Sequence, residues 1–116
     1  MGRLTTHVLD TANGRPGSGI RVTVRRVTER GPVELKTVVT NSDGRCDAPL
    51  LADEAFEAGV YELEFAVGAY FGEVPPADGP RFLDDIVLRF GVANADQHYH
   101  VPLLVSPYSY TTYRGS

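Results

Sequence analysis

The stretch IRVTVRRVTERGPVELKTVVT, residues 20–40, decides the fold. Ile20, Val22 and Val24 fall on one side of an extended chain, and Arg21 and Arg25 belong to other positions of the pleat. That is the two-residue period of a half-buried strand. Glu29-Arg30-Gly31-Pro32 interrupts the alternation and Val33 to Thr40 resumes it, so the spacing predicts a hairpin.

Outward from this hairpin the same pattern repeats. Leu4 to Leu9 reads as a first strand, with Thr6 and Val8 alternating against Thr5, His7 and Leu9. Thr11 to Gly19 is punctuation, marked by Asn13-Gly14 and Pro16-Gly17. The tight turn Asn41-Ser42-Asp43-Gly44 delivers Arg45 to the start of a short segment. Gly59 to Ala66 is a strand with Val60, Glu62 and Glu64 opposite Tyr61, Leu63 and Phe65; Ile86 to Val92, His100 to Val105 and Tyr108 to Arg114 complete the set. Leu50 to Ala58 is ambiguous, because its helix formers are cut short by Gly59, and Val67 to Val74 is a short helix or a loop. Pro75 to Pro80 is irregular. Short strands separated by Gly, Pro, Asn and Asp predict an all-β sandwich or barrel of seven to eight strands with one short helix. With no repeat, low-complexity tract or linker, residues 1–116 read as one domain.

Composition narrows the function classes. Hydrophobic residues are 42% and charged residues 22%, as in an ordinary globular protein. A net charge of −4 argues against nucleic acid or an anionic membrane as partner, because either would want a basic face. Cys46 stands alone, which removes a disulfide framework and a cysteine metal cluster. No window approaches about 18 apolar residues and the start lacks a signal-peptide core, so a cytoplasmic location is expected. MGRLTT nominally fits a myristoylation pattern at Gly2, but it runs into a strand with no polybasic partner.

The candidate chemistry gathers near the C-terminal end, HYHVPLLVSPYSYTTYRGS, residues 98–116. His98 and His100 share one face of a strand, Ser106-Pro107 makes a turn, and the returning segment carries Tyr113, Arg114 and Ser116. The third histidine of the chain is His7. Histidine changes charge near neutral pH and suits general acid–base work; the competing reading is a set of surface histidines. A three-histidine metal site is the other alternative, but no helical zinc spacing and no cysteine support it, and no metal or cofactor is expected. Ser106, Ser109 and Cys46 lack a nucleophile motif. Arg45, after its turn, can present a planar fork of donors to a carbonyl or carboxylate, or can be a solvated turn residue. Asp53 to Glu57 reads as a solvated face and Asp84-Asp85 as charges guarding a strand edge.

Taken together, LTTHVLD at residues 4–10, TNSDGR at 40–45 and the whole of residues 98–116 resemble the 5-hydroxyisourate hydrolases, the transthyretin-related enzymes of purine degradation. Tyr70-Phe71 and Phe82-Leu83 fit the middle section of that family. YRGS is specific to the enzyme branch, whereas SPYSYTT is shared with the transthyretin hormone carriers. The resemblance implies a transthyretin-like two-sheet β-sandwich, assembled as a homotetramer with active sites in a channel between dimers. It implies hydrolytic ring opening of 5-hydroxyisourate to 2-oxo-4-hydroxy-4-carboxy-5-ureidoimidazoline in urate degradation, without a cofactor. By position, the resemblance makes His7, Arg45, His100 and Ser116 catalytic and gives substrate binding to His7, Arg45 and Tyr113; His98 and Arg114 are possible additions. A transthyretin-like carrier and a non-catalytic interaction module are the alternatives. A carrier would lack the His7, Arg45, His100, Tyr113 set, and a module would need no buried polar cluster.

Overall fold

The structure is a computed structural model and describes residues 1–73 and 78–115. One sheet is antiparallel in the order β5-β4-β7-β8, formed by β4 (Arg21–Thr28), β5 (Gly31–Val39), β7 (Gly59–Ala66) and β8 (Asp85–Val92). The facing layer is built from shorter pieces: β1 (Arg3–Thr5), β2 (Val8–Asp10), β3 (Arg15–Pro16), β6 (Leu51–Ala52), β9 (His98–His100), β10 (Leu103–Val105) and β11 (Tyr110–Thr112). These pieces order as β6-β1-β9 and β11-β10-β2-β3. β1 pairs parallel with β9 and β2 parallel with β10, so the two groups are the halves of one layer. Val101 N–H donates to Thr5 O and Leu103 N–H to His7 O, each at 2.9 Å, which carries the ladder across the break.

The break has a local cause. The Thr6 hydroxyl donates to Val101 O at 2.6 Å in the gap, taking an acceptor that a ladder N–H would otherwise use. Two strands read from the sequence as continuous, Leu4 to Leu9 and His100 to Val105, are each split there. Together with β3, which lies in the segment read as punctuation, and β6, which lies in the segment read as ambiguous, the splits raise the count to eleven strands among the described residues. The central hairpin is also tighter than its sequence suggests. Thr28 pairs with Gly31 and Val27 with Pro32, leaving Glu29-Arg30 as the turn, and a bulge after Val24 absorbs the extra residue. The proline is tolerated because β5 is an edge strand. Leu50 to Ala58 resolves into β6 and a 3-10 turn over Asp53–Ala55, and the short helix α1 spans Val67–Phe71. Val74 to Ala77, within the segments read as helix-or-loop and as irregular, lie outside the described residues.

The core lies between the layers. Leu4, Val8, Leu103 and Val105 from one side meet Val22, Val24, Leu63 and Phe65 from the other, and all are fully buried. Each such side chain contributes about 1.5–3 kcal/mol relative to exposure. Arg25 is paired with Glu64 at 2.9 Å and Arg26 with Glu57 at 3.5 Å, so the adjacent arginines of β4 form no basic patch. Among the described residues no helix is long and apolar enough to cross a membrane.

A buried carboxylate pins the helix to the site's own layer. Asp10, at the end of β2, accepts hydrogen bonds from the N–H groups of Ala12 and Asn13, from Asn13 Nδ2, and from Tyr70 Oη of α1 at 2.7 Å. Burial pushes its acidity down, but these hydrogen bonds together outweigh burial and hold its pKa below 3.8. Its stabilising effect is therefore complete above pH 3.8 and is lost as pH falls through the depressed folded value. Tyr70→Phe removes one donor to this charge and is expected to cost about 1.5–3 kcal/mol at pH 7. Denaturant titrations of variant and parent should show that difference shrinking below pH 3.8.

Candidate functional site

The polar site is assembled by the parallel pairing of β1 with β9. That register sets Arg3 opposite His98 and Thr5 opposite His100. The alternation of each strand turns these four side chains to one face while Leu4 and Tyr99 enter the core. Thr5 Oγ1 sits 2.8 Å from His98 Nε2 and 2.8 Å from His100 Nδ1. The two imidazole centroids are 6.3 Å apart.

Arg45 reaches this face from the turn predicted to deliver it. Asn41 Oδ1 accepts from the N–H groups of Asp43 at 2.9 Å and Arg45 at 3.2 Å. Gly44 adopts φ +75°, and any Cβ there would collide with the carbonyl oxygen of Val8. The close approach lets Val8 N–H donate to Gly44 O at 2.8 Å and sets Arg45 beside His7 in an antiparallel bridge. His7 Nε2 donates to Asp43 O at 2.9 Å. A carbonyl only accepts, so Nε2 carries the proton and Nδ1 is the basic nitrogen of the neutral ring.

The end of the chain closes on His100. Gly115 N–H donates to His100 O at 2.7 Å and His100 N–H to Gly115 O at 3.3 Å. A Cβ on Gly115 would stand only 3.1 Å from His100 Cδ2, so glycine permits this approach. Arg114 holds the segment down: its guanidinium carbon lies 4.0 Å from the centroid of the Tyr99 ring, and Nη2 donates to Gln97 Oε1 at 3.0 Å. Arg114 is thus a clamp at the edge of the site.

Arg3, Thr5, Arg45, Cys46, His98 and His100 are among the residues lining an open cavity of about 370 Å³. His7 adjoins it through its bridge to Arg45. Burial, then the Arg45 charge, then His98 and His7 push the pKa of His100 below 6.5; burial and the Arg3 charge do the same to His98. Both rings are therefore kept neutral at physiological pH, as bases require, and this preference favours the fold above pH 6.5 and is lost as pH falls below it. Burial, aided by Asp47 and opposed by Lys36, raises the Cys46 thiol above 9.0, which leaves it a poor nucleophile.

The structure thus brings His7, Arg45, His98 and His100 together. It does not bring Tyr113 to them within one chain. Tyr113 is 58% exposed and faces a separate groove with Val87, Phe90 and Tyr110 between β8 and β11. Ser116 lies outside the described residues. Sequence reasoning passed over Thr5 and Arg3. Strand alternation had already put Thr5 on the face of His7, but a threonine carries no chemical signal until its partners are known. Among the described residues, no group of three or more His, Cys, Asp or Glu is placed to hold a metal ion.

Two sheets packed about one core, with a histidine–arginine cavity on the outer face of the split layer, define a transthyretin-like sandwich bearing a polar, acid–base site. Residues 4–115 match the HIUase/Transthyretin family, and the chain belongs to it. Over 117 residues it is 59% identical to the 5-hydroxyisourate hydrolase of Ralstonia nicotianae, covering 100% of both chains. It superposes on the crystal structure of an (S)-allantoin synthase with a TM-score of 0.88 at 45% identity, covering 99% of this chain and 44% of that one. It also superposes on sea bream transthyretin in complex with thyroxine, with a TM-score of 0.83 at 30% identity, covering 97% of this chain and 94% of that one.

The cavity's electrostatics can be read directly. The histidine Cε1–H resonance of His100 should titrate below 6.5 by NMR, and Arg45→Gln should move that midpoint upward, since removing a cation relieves the imidazolium. An unmoved midpoint would place the guanidinium away from the ring.

Proposed function

We infer that the chain is a 5-hydroxyisourate hydrolase. It opens the cyclic amide of 5-hydroxyisourate with water, giving 2-oxo-4-hydroxy-4-carboxy-5-ureidoimidazoline in urate degradation. The observation that carries the reading is the convergence of His100 and the Arg45 guanidinium on one cavity, with His7 beside it through its bridge to Arg45. Amide hydrolysis needs a base to activate water, a positive group for the oxygen that gains charge, and a proton for the departing nitrogen. His100, or His7 through Nδ1, takes the proton from water. The fork of Arg45 meets the carbonyl edge and the developing oxyanion. A planar, oxygen-rich ring suits a cavity lined by arginine, histidine and threonine, where an apolar aromatic ligand would leave those groups unpaired.

The reading treats residues 1–116 as one hydrolase domain, cofactor-free and cytoplasmic, that works as a homotetramer. Support for self-association comes from β8 and β11, which are free sheet edges lying side by side. Val87, Tyr110 and Tyr113 are 45%, 44% and 58% exposed there. Exposed apolar edges of this kind favour coverage by a partner. Contact of Tyr113 with substrate belongs to that assembled form, and the reading keeps Ser116 as a catalytic group.

Freshly generated 5-hydroxyisourate, followed by its ultraviolet decay, tests the assignment. The protein should accelerate the decay, and His7→Ala and His100→Ala should each lose roughly 10²–10⁴-fold in kcat/KM. Arg45→Lys keeps the charge but loses the fork, and should lose on the order of 10²-fold. Near-parental rates in both histidine variants would remove them from the chemistry, and a parental Arg45→Lys would return that residue to the solvated turn.

A further inference from the structure

His98 has no role in the reaction as described above, yet it is held to His100 through a single atom. Thr5 Oγ1 is within 2.8 Å of a ring nitrogen on each side. A hydroxyl has one proton to give and lone pairs to accept with, whereas each neutral imidazole has one N–H and one basic nitrogen. A continuous donor–acceptor chain then has only two forms. In one, His100 Nδ1–H donates to Thr5 Oγ1 and Thr5 O–H donates to His98 Nε2. In the other, every proton in the chain is reversed. Both forms require the two rings to be the same tautomer.

The orientation of His100 selects the working form. Thr5 occupies its Nδ1, so Nε2 is the nitrogen left to take a proton from water, and a basic Nε2 requires a protonated Nδ1. We propose that Thr5 is a positioning residue that wires His100 to His98 and lets His98 hold, during ring opening, the proton that His100 takes from water. The proposal rests on the hydrolase reading. As the water oxygen bonds to the carbonyl carbon, His100 Nε2 receives the water proton. His100 Nδ1 passes its proton to Thr5 Oγ1, and the original Thr5 proton moves to His98 Nε2. The positive charge so leaves the ring beside Arg45. When the C–N bond breaks, the relay runs backward and His100 Nε2 gives a proton to the departing nitrogen. Water has added as hydroxide to carbon and proton to nitrogen, and the protein is unchanged.

The charged and titratable groups facing the pair come from every neighbouring element. They are Arg3 on β1, His7 at the β1–β2 break, Arg45, Cys46 and Asp47 after the turn, and Arg114 at the chain end. The cations among them disfavour a fixed imidazolium at either ring, which suits a proton that is passed and returned.

Thr5→Val keeps the shape and the strand preference but removes the relay. Its kcat should fall on the order of 10²-fold with KM near the parent value, the acid limb of its pH profile should shift, and Thr5→Ser should restore most of the rate. A Thr5→Val enzyme with the parent's kcat and pH profile would overturn the proposal. An independent measurement needs neither turnover nor the variant. Long-range ¹H–¹⁵N spectra of the parent above pH 7 should show His98 and His100 as matched tautomers, both protonated on Nδ1; both protonated on Nε2 would leave His100 no free nitrogen toward water and overturn the relay. Protons on both Thr5-facing nitrogens, or on neither, would break the wire and sink the proposal. Matched tautomers in a parent protein that fails to accelerate 5-hydroxyisourate decay would instead reject the hydrolase reading.

Discussion

The parallel pairing of the first strand with the strand that carries the histidine pair is the constraint on which the rest of the structure depends. It joins residues more than ninety positions apart, as the Thr5–His98 and Thr5–His100 bonds record with separations of 93 and 95. A slip by one residue would exchange Leu4 and Tyr99 for the polar set, burying histidine and exposing core. The apolar residues between the layers therefore fix the chemistry outside them: Leu4 and Leu103 must be inward, so Thr5, His98 and His100 must be outward. Function here rides on the stability of the hydrophobic register.

Around that register the site is tightened by backbone contacts that only glycine permits. Gly44 lets the turn after β5 lie on Val8 and carry Arg45 to His7, and Gly115 lets the chain end lie on the His100 ring. Neither glycine touches substrate in the reading given, yet each decides where a charged or basic group stands. The Arg114–Tyr99 contact adds a brace from the core side, since Tyr99 is buried and its hydroxyl accepts from Ala93 N–H at 3.2 Å.

Much of this was legible in the residues. The alternation from Ile20 to Thr40 gave away the hairpin, the Asn41–Gly44 turn gave away the position of Arg45, and the motifs around His7 and His100 pointed to acid–base chemistry. What stayed hidden depends on long-range partners. The split beside Thr6 follows from a hydroxyl that takes the Val101 carbonyl, which matters only when the two strands are adjacent. Thr5 looks like any strand threonine until two imidazoles from the other end of the chain close on it. Tyr113 shares a tetrapeptide with Gly115 but lines the groove between the sheet edges, a separation set by the path of the backbone after β11 and not by any pattern in the residues.

The central claim is that the cavity between β1, β9 and the Arg45 turn holds a planar, oxygen-rich purine-derived ring. Urate, a stable ring of that chemistry, provides the most direct measurement through side-chain NMR during titration. Binding should shift the imidazole resonances of His98 and His100 and the guanidinium of Arg45, while Val87, Phe90 and Tyr110 stay unmoved. Shifts confined to the groove between β8 and β11, with His100 unchanged, would contradict the account and put the ligand on the other side of the sandwich.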